Sequence, residues 1–299
     1  MRFVWMVAVV AALATVLVPA AGGQQSASVL AFTDGIGGIQ LLDSSDGVVR
    51  HLPSHGTSLD VAWSPDGRWL AFTSAPSLAT EDVWKIRADG SGLQRLTHTG
   101  NSAFPVWSRD GRRIYYTHGG TVKRSGAVWV MNADGSDQKK VAIRHSPFGA
   151  WSPDGRYVAF RRPDPEHRWQ IYIVRRDGRH RRQLTHNQLS GAIVWSDPVW
   201  SPDGTTLAYN VYDLRNAKSF TCEVELVQAD GSNPRSLAPC DPLGFGAAPA
   251  WSPDGRVAFA QTASPDTDEI MLIEQDGSGL TPLHHTNTPV EGMQWQPAP

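Results

Sequence analysis

Little in this sequence points to local catalytic machinery, to nucleic acid or to a membrane core. It holds no Gly-x-Ser-x-Gly elbow, no His-Glu-x-x-His pair and no phosphate loop. A catalytic set scattered over distant segments would leave no such motif, so the absence excludes only compact signatures. Lys and Arg total 27 against 29 Asp and Glu, a formal net charge of −2. Without a basic excess there is no electrostatic footprint for a phosphate backbone, which excludes nucleic acid as the main partner. After residue 25 no apolar run is long enough to span a bilayer. Cysteine is scarce: Cys222 and Cys240 are the only two, enough for one disulfide.

The first residues differ from the rest. Arg2 precedes an apolar run from Phe3 to Val18, and the small residues Ala20, Ala21, Gly22 and Gly23 follow. A charged start, an apolar stretch and a small-residue cleavage site make a secretory signal. The expectation is a signal peptide over residues 1–22, a short linker over 23–28, and a periplasmic or secreted protein with no transmembrane span after cleavage. Retention of the run as an anchor is the alternative.

What is abundant is a repeat. Trp63-Ser64-Pro65-Asp66-Gly67 recurs at Trp107-Ser108-Arg109-Asp110-Gly111, Trp151-Ser152-Pro153-Asp154-Gly155, Trp200-Ser201-Pro202-Asp203-Gly204 and Trp251-Ser252-Pro253-Asp254-Gly255. A truncated copy ends the chain at Trp295-Gln296-Pro297. By subtraction the tryptophans lie 44, 44, 49, 51 and 44 residues apart, the period of a repeat architecture. Ser-Pro-Asp-Gly spells a type I turn: Ser can bond the local backbone, Pro presets φ, and Gly relieves the last position. Arg109 loosens that preset but keeps Asp-Gly. Short strand-like runs follow each turn, such as Leu70-Ala71-Phe72-Thr73 and Val158-Ala159-Phe160. The tryptophan before the turn reads as a wedge between neighbouring repeats.

A second hairpin closes each repeat. Val83-Trp84-Lys85-Ile86 leads to Asp89-Gly90, Val128-Trp129-Val130-Met131 to Asp134-Gly135, and Ile270-Met271-Leu272-Ile273 to Asp276-Gly277. Asp-Gly between apolar runs is a hairpin signal. Four strands, A to D, with turns after A and C make a propeller blade. Val29–Thr33, Ile39–Leu42 and Val48–Leu52 lack an A strand, and Gly292–Trp295 lacks its B, C and D. Joined, they complete one blade. The fold class is therefore all-β: a six-bladed β-propeller of four-stranded antiparallel blades over residues 29–299, closed by pairing of the N- and C-terminal strands. Export also gives the cysteines a role. Cys222 opens a C strand and Cys240 ends the next D strand, and the two are equidistant from Gly231 in the turn. Facing positions across a hairpin predict a cross-strand disulfide.

With these motifs the chain resembles the TolB-like (WD-repeat-like) β-propellers, whose namesake is a periplasmic component of the Tol–Pal system. The likeness covers residues 27–299 and is propeller only: it leaves no room for the N-terminal α/β domain of TolB. The same repeat resembles the propeller of prolyl oligopeptidase-like enzymes, whose hydrolase domain has no counterpart here. The likeness implies the fold, and an envelope partner as an expectation.

Turns after A and C are short and uniform, whereas the B–C and D–A loops on the opposite face vary, and variable loops on a fixed scaffold carry binding. The predicted site lies there: Asp60, Phe104, Phe148 and Asp197, each three residues before a repeat tryptophan, with Glu291, His98 and His186 around the channel mouth. Mixed aromatic and acidic residues suit a positively charged peptide end; the alternative is inner-strand core. Histidines stand in the D–A loops at His55, His98, His145, His186 and His284. Oligogalacturonate lyase, a propeller of similar repeats, uses a histidine-bound metal. Here the offsets to the following tryptophan are too irregular for a designed shell, so no metal and no cofactor are expected. The prediction is a monomeric, exported, non-enzymatic propeller that binds a peptide or protein of the cell envelope. The alternative is a metal-assisted lyase or hydrolase acting on polysaccharide through the loop histidines. A third reading is a structural module recruited through the eight arginines between Arg161 and Arg182.

Overall fold

The computed structural model describes residues 28–33, 38–77, 80–119, 127–141, 150–175, 177–186, 192–194, 198–213, 221–240, 248–264 and 267–297. Strands are the only regular elements among them, and they assemble into six antiparallel sheets. Blade 1 is Gly292–Trp295, Val29–Thr33, Ile39–Asp43 and Val49–Leu52, in that order from inside to outside. Its inner pair joins the N- and C-terminal strands as expected, with Leu30 opposite Trp295 and Phe32 opposite Met293. Blade 2 runs Thr57–Trp63, Trp69–Ser77, Thr80–Arg87 and Gln94–Arg95. Blade 3 runs Ser102–Trp107, Arg113–His118, Ala127–Asn132 and Lys139–Lys140. Blades 4, 5 and 6 repeat the order, with inner strands at Ala150–Trp151, Val199–Trp200 and Ala250–Trp251. In blade 5 the short segment Ala192–Val194 pairs further along the same second strand, Thr206–Asp213.

Period-2 alternation explains how the ring is filled. Leu30, Phe32 and Leu42 point from blade 1 into a cluster with Ala258, Ile270 and Leu272 of blade 6. Ala31, Ile39 and Leu41, one residue out of step, pack against Trp63, Leu70, Phe72 and Ile86 of blade 2. The core is thus a series of layers between blades. The repeat tryptophans are wedges, as the sequence suggests, and four of them also carry a directed bond. The indole N–H of Trp63 donates to the Gln294 carbonyl (3.1 Å), Trp107 to Ala62 (3.2 Å), Trp200 to Ala150 (2.9 Å) and Trp251 to Val199 (3.1 Å). The acceptor is always the residue before the tryptophan of the preceding blade. Trp295 is fully packed, but its Nε1 is buried without a partner among the described residues.

The repeated turn is held by its serine and aspartate together. The Ser64 hydroxyl donates to Asp66 (2.6 Å) and accepts the Trp69 N–H (2.8 Å), while the Gly67 N–H closes on the Ser64 carbonyl (2.9 Å). Ser108–Asp110, Ser152–Asp154, Ser201–Asp203 and Ser252–Asp254 repeat the pairing. Gly67 has φ +65°, a left-handed conformation that explains the fixed glycine. These hydroxyls hold the carboxylates of Asp66, Asp110, Asp154 and Asp203 below their ordinary pKa of 3.8. At Asp254 burial opposes the shift, but bonds from Arg256 and Ser252 still lower it. In the outer turns Asp89, Asp134, Asp230 and Asp276 are lowered by serine hydroxyls, and Asp177 by the Arg179 N–H.

A carboxyl with a lowered folded pKa contributes stability above its unfolded value and loses it as pH falls through the folded one. Glu225 and Glu291, both raised by burial, act in the opposite sense: their contribution is present below their ordinary 4.5 and lost as pH rises. The lowered aspartates outnumber them, so the urea midpoint is expected to fall between about pH 5 and about pH 3. Asp203→Asn should flatten that fall, and a midpoint constant over the window would contradict the account.

The disulfide forms between Cys222 and Cys240, with Cα atoms 4.9 Å apart. The two face each other, and the Cys240 N–H donates to the Cys222 carbonyl (2.9 Å). Near the turn the register is one residue off a count centred on Gly231, because Leu226 pairs Arg235. A bulge between Val224 and Glu225 restores it, so that Val224 pairs Ala238.

Candidate functional site

The inner strands of blades 2 and 3 bulge at one shared position. Leu59 pairs Thr73 and Ala62 pairs Ala71, which leaves Asp60 and Val61 opposite Phe72 alone. Ala103 pairs Thr117 and Val106 pairs Tyr115, which leaves Phe104 and Pro105 opposite Tyr116. At the bulge Asp60 has φ +50° and Phe104 φ +56°. Neither is glycine, and Phe in this region is strained. The two blades are stitched together here: the Phe104 N–H donates to Thr73 Oγ1 (3.0 Å), and that hydroxyl donates to Asp60 Oδ2 (3.3 Å). Phe104 keeps 46% of its surface exposed on the innermost strand and Val106 keeps 38%.

Blade 1 has no bulge, and Gly292 occupies the equivalent place; a Cβ there would stand 3.5 Å from the Asp60 backbone nitrogen. Glu291, next in line, donates its N–H to the Thr33 carbonyl (2.8 Å); its side chain stays exposed, and partial desolvation by the surrounding protein raises its carboxyl pKa. Two buried hydroxyls at this end of blades 1 and 2, Thr33 Oγ1 and Ser58 Oγ, lack partners among the described residues. Asp60, Phe104 and Glu291 therefore gather at adjacent inner strands. Phe148, Asp197 and His145 lie outside the described residues.

The remaining histidines do not converge. His55 packs against Trp84 with ring centroids 5.0 Å apart, and His284 against Phe32 at 5.7 Å. Burial, then His285, lowers the His284 pKa. His186 Nδ1 lies 3.4 Å from Gln183 Nε2, and His98 is exposed. No group of three His, Cys, Asp or Glu side chains among the described residues could hold a metal ion. No described helix is long and apolar enough to cross a membrane.

Two features of this face escaped the sequence. Buried Asp82 organises the loop that carries His98: it accepts from Arg95 (2.6 Å), the Thr97 hydroxyl (2.6 Å) and the backbone N–H groups of Thr99 (3.1 Å) and Gly100 (3.2 Å). His118 Nδ1 stands 3.1 Å from Ser102 Oγ and its ring lies 5.0 Å from Trp129. An acidic residue at the start of a C strand is the only sequence sign of the first. The eight arginines are partly committed: Arg168 pairs with Asp164 (2.9 Å) and Glu166 (3.0 Å), and Arg182 donates to the Ala229 carbonyl of the next blade.

Solved structures share the architecture. TolB from Acinetobacter baumannii superimposes with a TM-score of 0.73 at 19% identity, covering 91% of this chain and 67% of that one. A putative TolB from Agrobacterium tumefaciens gives 0.63 at 18%, covering 91% and 99%. An oligogalacturonate lyase in complex with manganese gives 0.53 at 14%, covering 78% and 70%. At these identities the likeness is one of fold. No curated protein matches the sequence. The family model described as the TolB beta propeller domain matches residues 16–197, more than half of the chain. The chain therefore belongs to the TolB beta propeller domain family.

Proposed function

We propose that this propeller is an exported, non-catalytic module that binds a peptide or protein segment of the cell envelope on its variable face. The observation that supports it most is the paired bulge: an acidic residue, Asp60, and an exposed aromatic, Phe104, held side by side in strained backbone on adjacent inner strands. Strain of this kind clusters at binding sites. An aromatic anchor beside a carboxylate fits a segment with an apolar residue next to a positive charge. Glu291 adds a second acid, with His98 and His186 on outer loops, and Phe148 and Asp197 belong to the same reading from sequence. Membership of the family agrees with protein binding. The disulfide agrees with an oxidising compartment, and residues 1–22 would direct export, with 23–28 as the linker.

The test is affinity capture from envelope extract with wild-type protein and the Asp60→Asn and Phe104→Ala variants. One enriched partner is expected, weakened about tenfold or more by each change. No enriched partner, or one held equally by both variants, would overturn the reading. Stoichiometric manganese or zinc in purified protein, lost in His98→Ala or His186→Ala, would favour the lyase alternative.

A further inference from the structure

On the opposite face, the one with uniform turns, a cavity of about 550 Å³ opens between blades 2 and 3. That volume falls within the range of small-molecule sites, about 300–1,000 Å³. Its floor holds Lys85. In the sheet register Lys85 faces Ala71, and the same place in the other blades is taken by Leu41, Val130, Ile173, Leu226 and Leu272, all buried. Lys85 is itself 8% exposed. An ammonium thus stands in a column of aliphatic core.

Part of its role is a tether. Lys85 Nζ donates to the Ala133 carbonyl (2.7 Å), as Arg182 does to Ala229 and Arg235 to Gln275, which sit at equivalent turn positions. Those two arginines make the bond from the outer strand with the charge in reach of water. Lys85 makes it from inside, forms no ion pair with a described residue, and rests over the Trp69 ring at 4.7 Å. One carbonyl and one ring leave a desolvated charge undercompensated. Burial lowers its pKa, and the Asp134 carboxylate at the rim, which forms no ion pair with it, opposes that shift only in part.

The rim departs from the repeat as well. Arg109 replaces the proline found at Pro65, Pro153, Pro202 and Pro253; it borders the same cavity, but its guanidinium reaches over Gly155 toward Asp154 of blade 4. Asp66, Asp110 and Asp134 also line it, all exposed and ionised by their serine partners. The cavity therefore holds one ammonium in its depth and three carboxylates at its mouth.

We propose that this cleft is a binding site for a carboxylate that has a positive charge close by, with the carboxylate on Lys85 and the positive group among the rim aspartates. An acidic side chain next to lysine, or a peptide chain end after lysine, carries that chemistry.

Two capped or open dipeptides separate these sources: acetyl-Glu-Lys-amide, and acetyl-Gly-Lys with a free carboxylate. Acetyl-Gln-Lys-amide is the control. Binding would be followed by NMR of the lysine side chains and by calorimetry. One or both carboxylate peptides should bind saturably and shift the Lys85 signals; whichever binds identifies the source. The glutamine control should bind about 10- to 100-fold more weakly, and Lys85→Met should lose the same amount. Lys85→Met supplies the aliphatic residue of the other blades, so it should fold. No saturable binding at millimolar peptide, equal binding by Lys85→Met, or equal binding of the glutamine control would overturn the proposal. Since the partner test above uses the other face, each can fail without the other.

Discussion

Removing residues 292–299 is expected to abolish cooperative folding. The deletion strips Val29–Thr33 of its inner partner, so the ring gains an open edge exposing Leu30 and Phe32. It also cuts the neighbour's supports: the Gln294 side chain accepts the Trp63 N–H (2.6 Å), the Gln294 carbonyl accepts the Trp63 indole, and Gln296 donates to the Gly67 carbonyl (2.8 Å). Far-UV circular dichroism and urea titration should show loss of the sigmoidal transition. Trp295→Ala is the graded version, at about 3–5 kcal/mol for a fully buried tryptophan. Trp295→Phe should cost far less, because Trp295 Nε1 forms no bond among the described residues and most of the burial is kept. A truncated chain that unfolds at the wild-type urea concentration would show that closure is not what holds the ring.

The second large effect belongs to the disulfide. Changing Cys222 and Cys240 together to alanine should lower stability by about 3 kcal/mol, the chain-entropy value for a closed loop of this length. The bond lies in the layer between blades 5 and 6, with Tyr212, Val224, Phe259 and Met271 around it. Breakage therefore relaxes both the unfolded loop constraint and a packed interface. Urea titration of the variant, and of wild type with and without reductant, measures it. A reduced protein as stable as the oxidised one would rule out the bond as a stabilising element.

The fold was legible because its instructions are local. Each Ser-Pro-Asp-Gly turn fixes a hairpin within five residues, and a period in the forties counts the blades. The disulfide came from symmetry about Gly231, and it holds only because the Val224/Glu225 bulge corrects an offset near the turn. The candidate site was legible in position but not in conformation. Asp60 and Phe104 stood out by their spacing from tryptophan, but nothing in the residues announces a left-handed bulge, which arises from the packing of one inner strand against the next. Asp82 and Lys85 were less visible still. Lys85 breaks an aliphatic column that exists only once the blades are in register, and its cavity is bounded by two blades at once.

The seam in blade 1 has a mechanical side. Val29 and Gln296 are bonded to each other, and the two strands run antiparallel from that point. Tension applied to the described ends would load these rungs one after another, as in a zip, not all together in shear. The joint that holds the ring against heat and urea would be its easiest place to open by pulling.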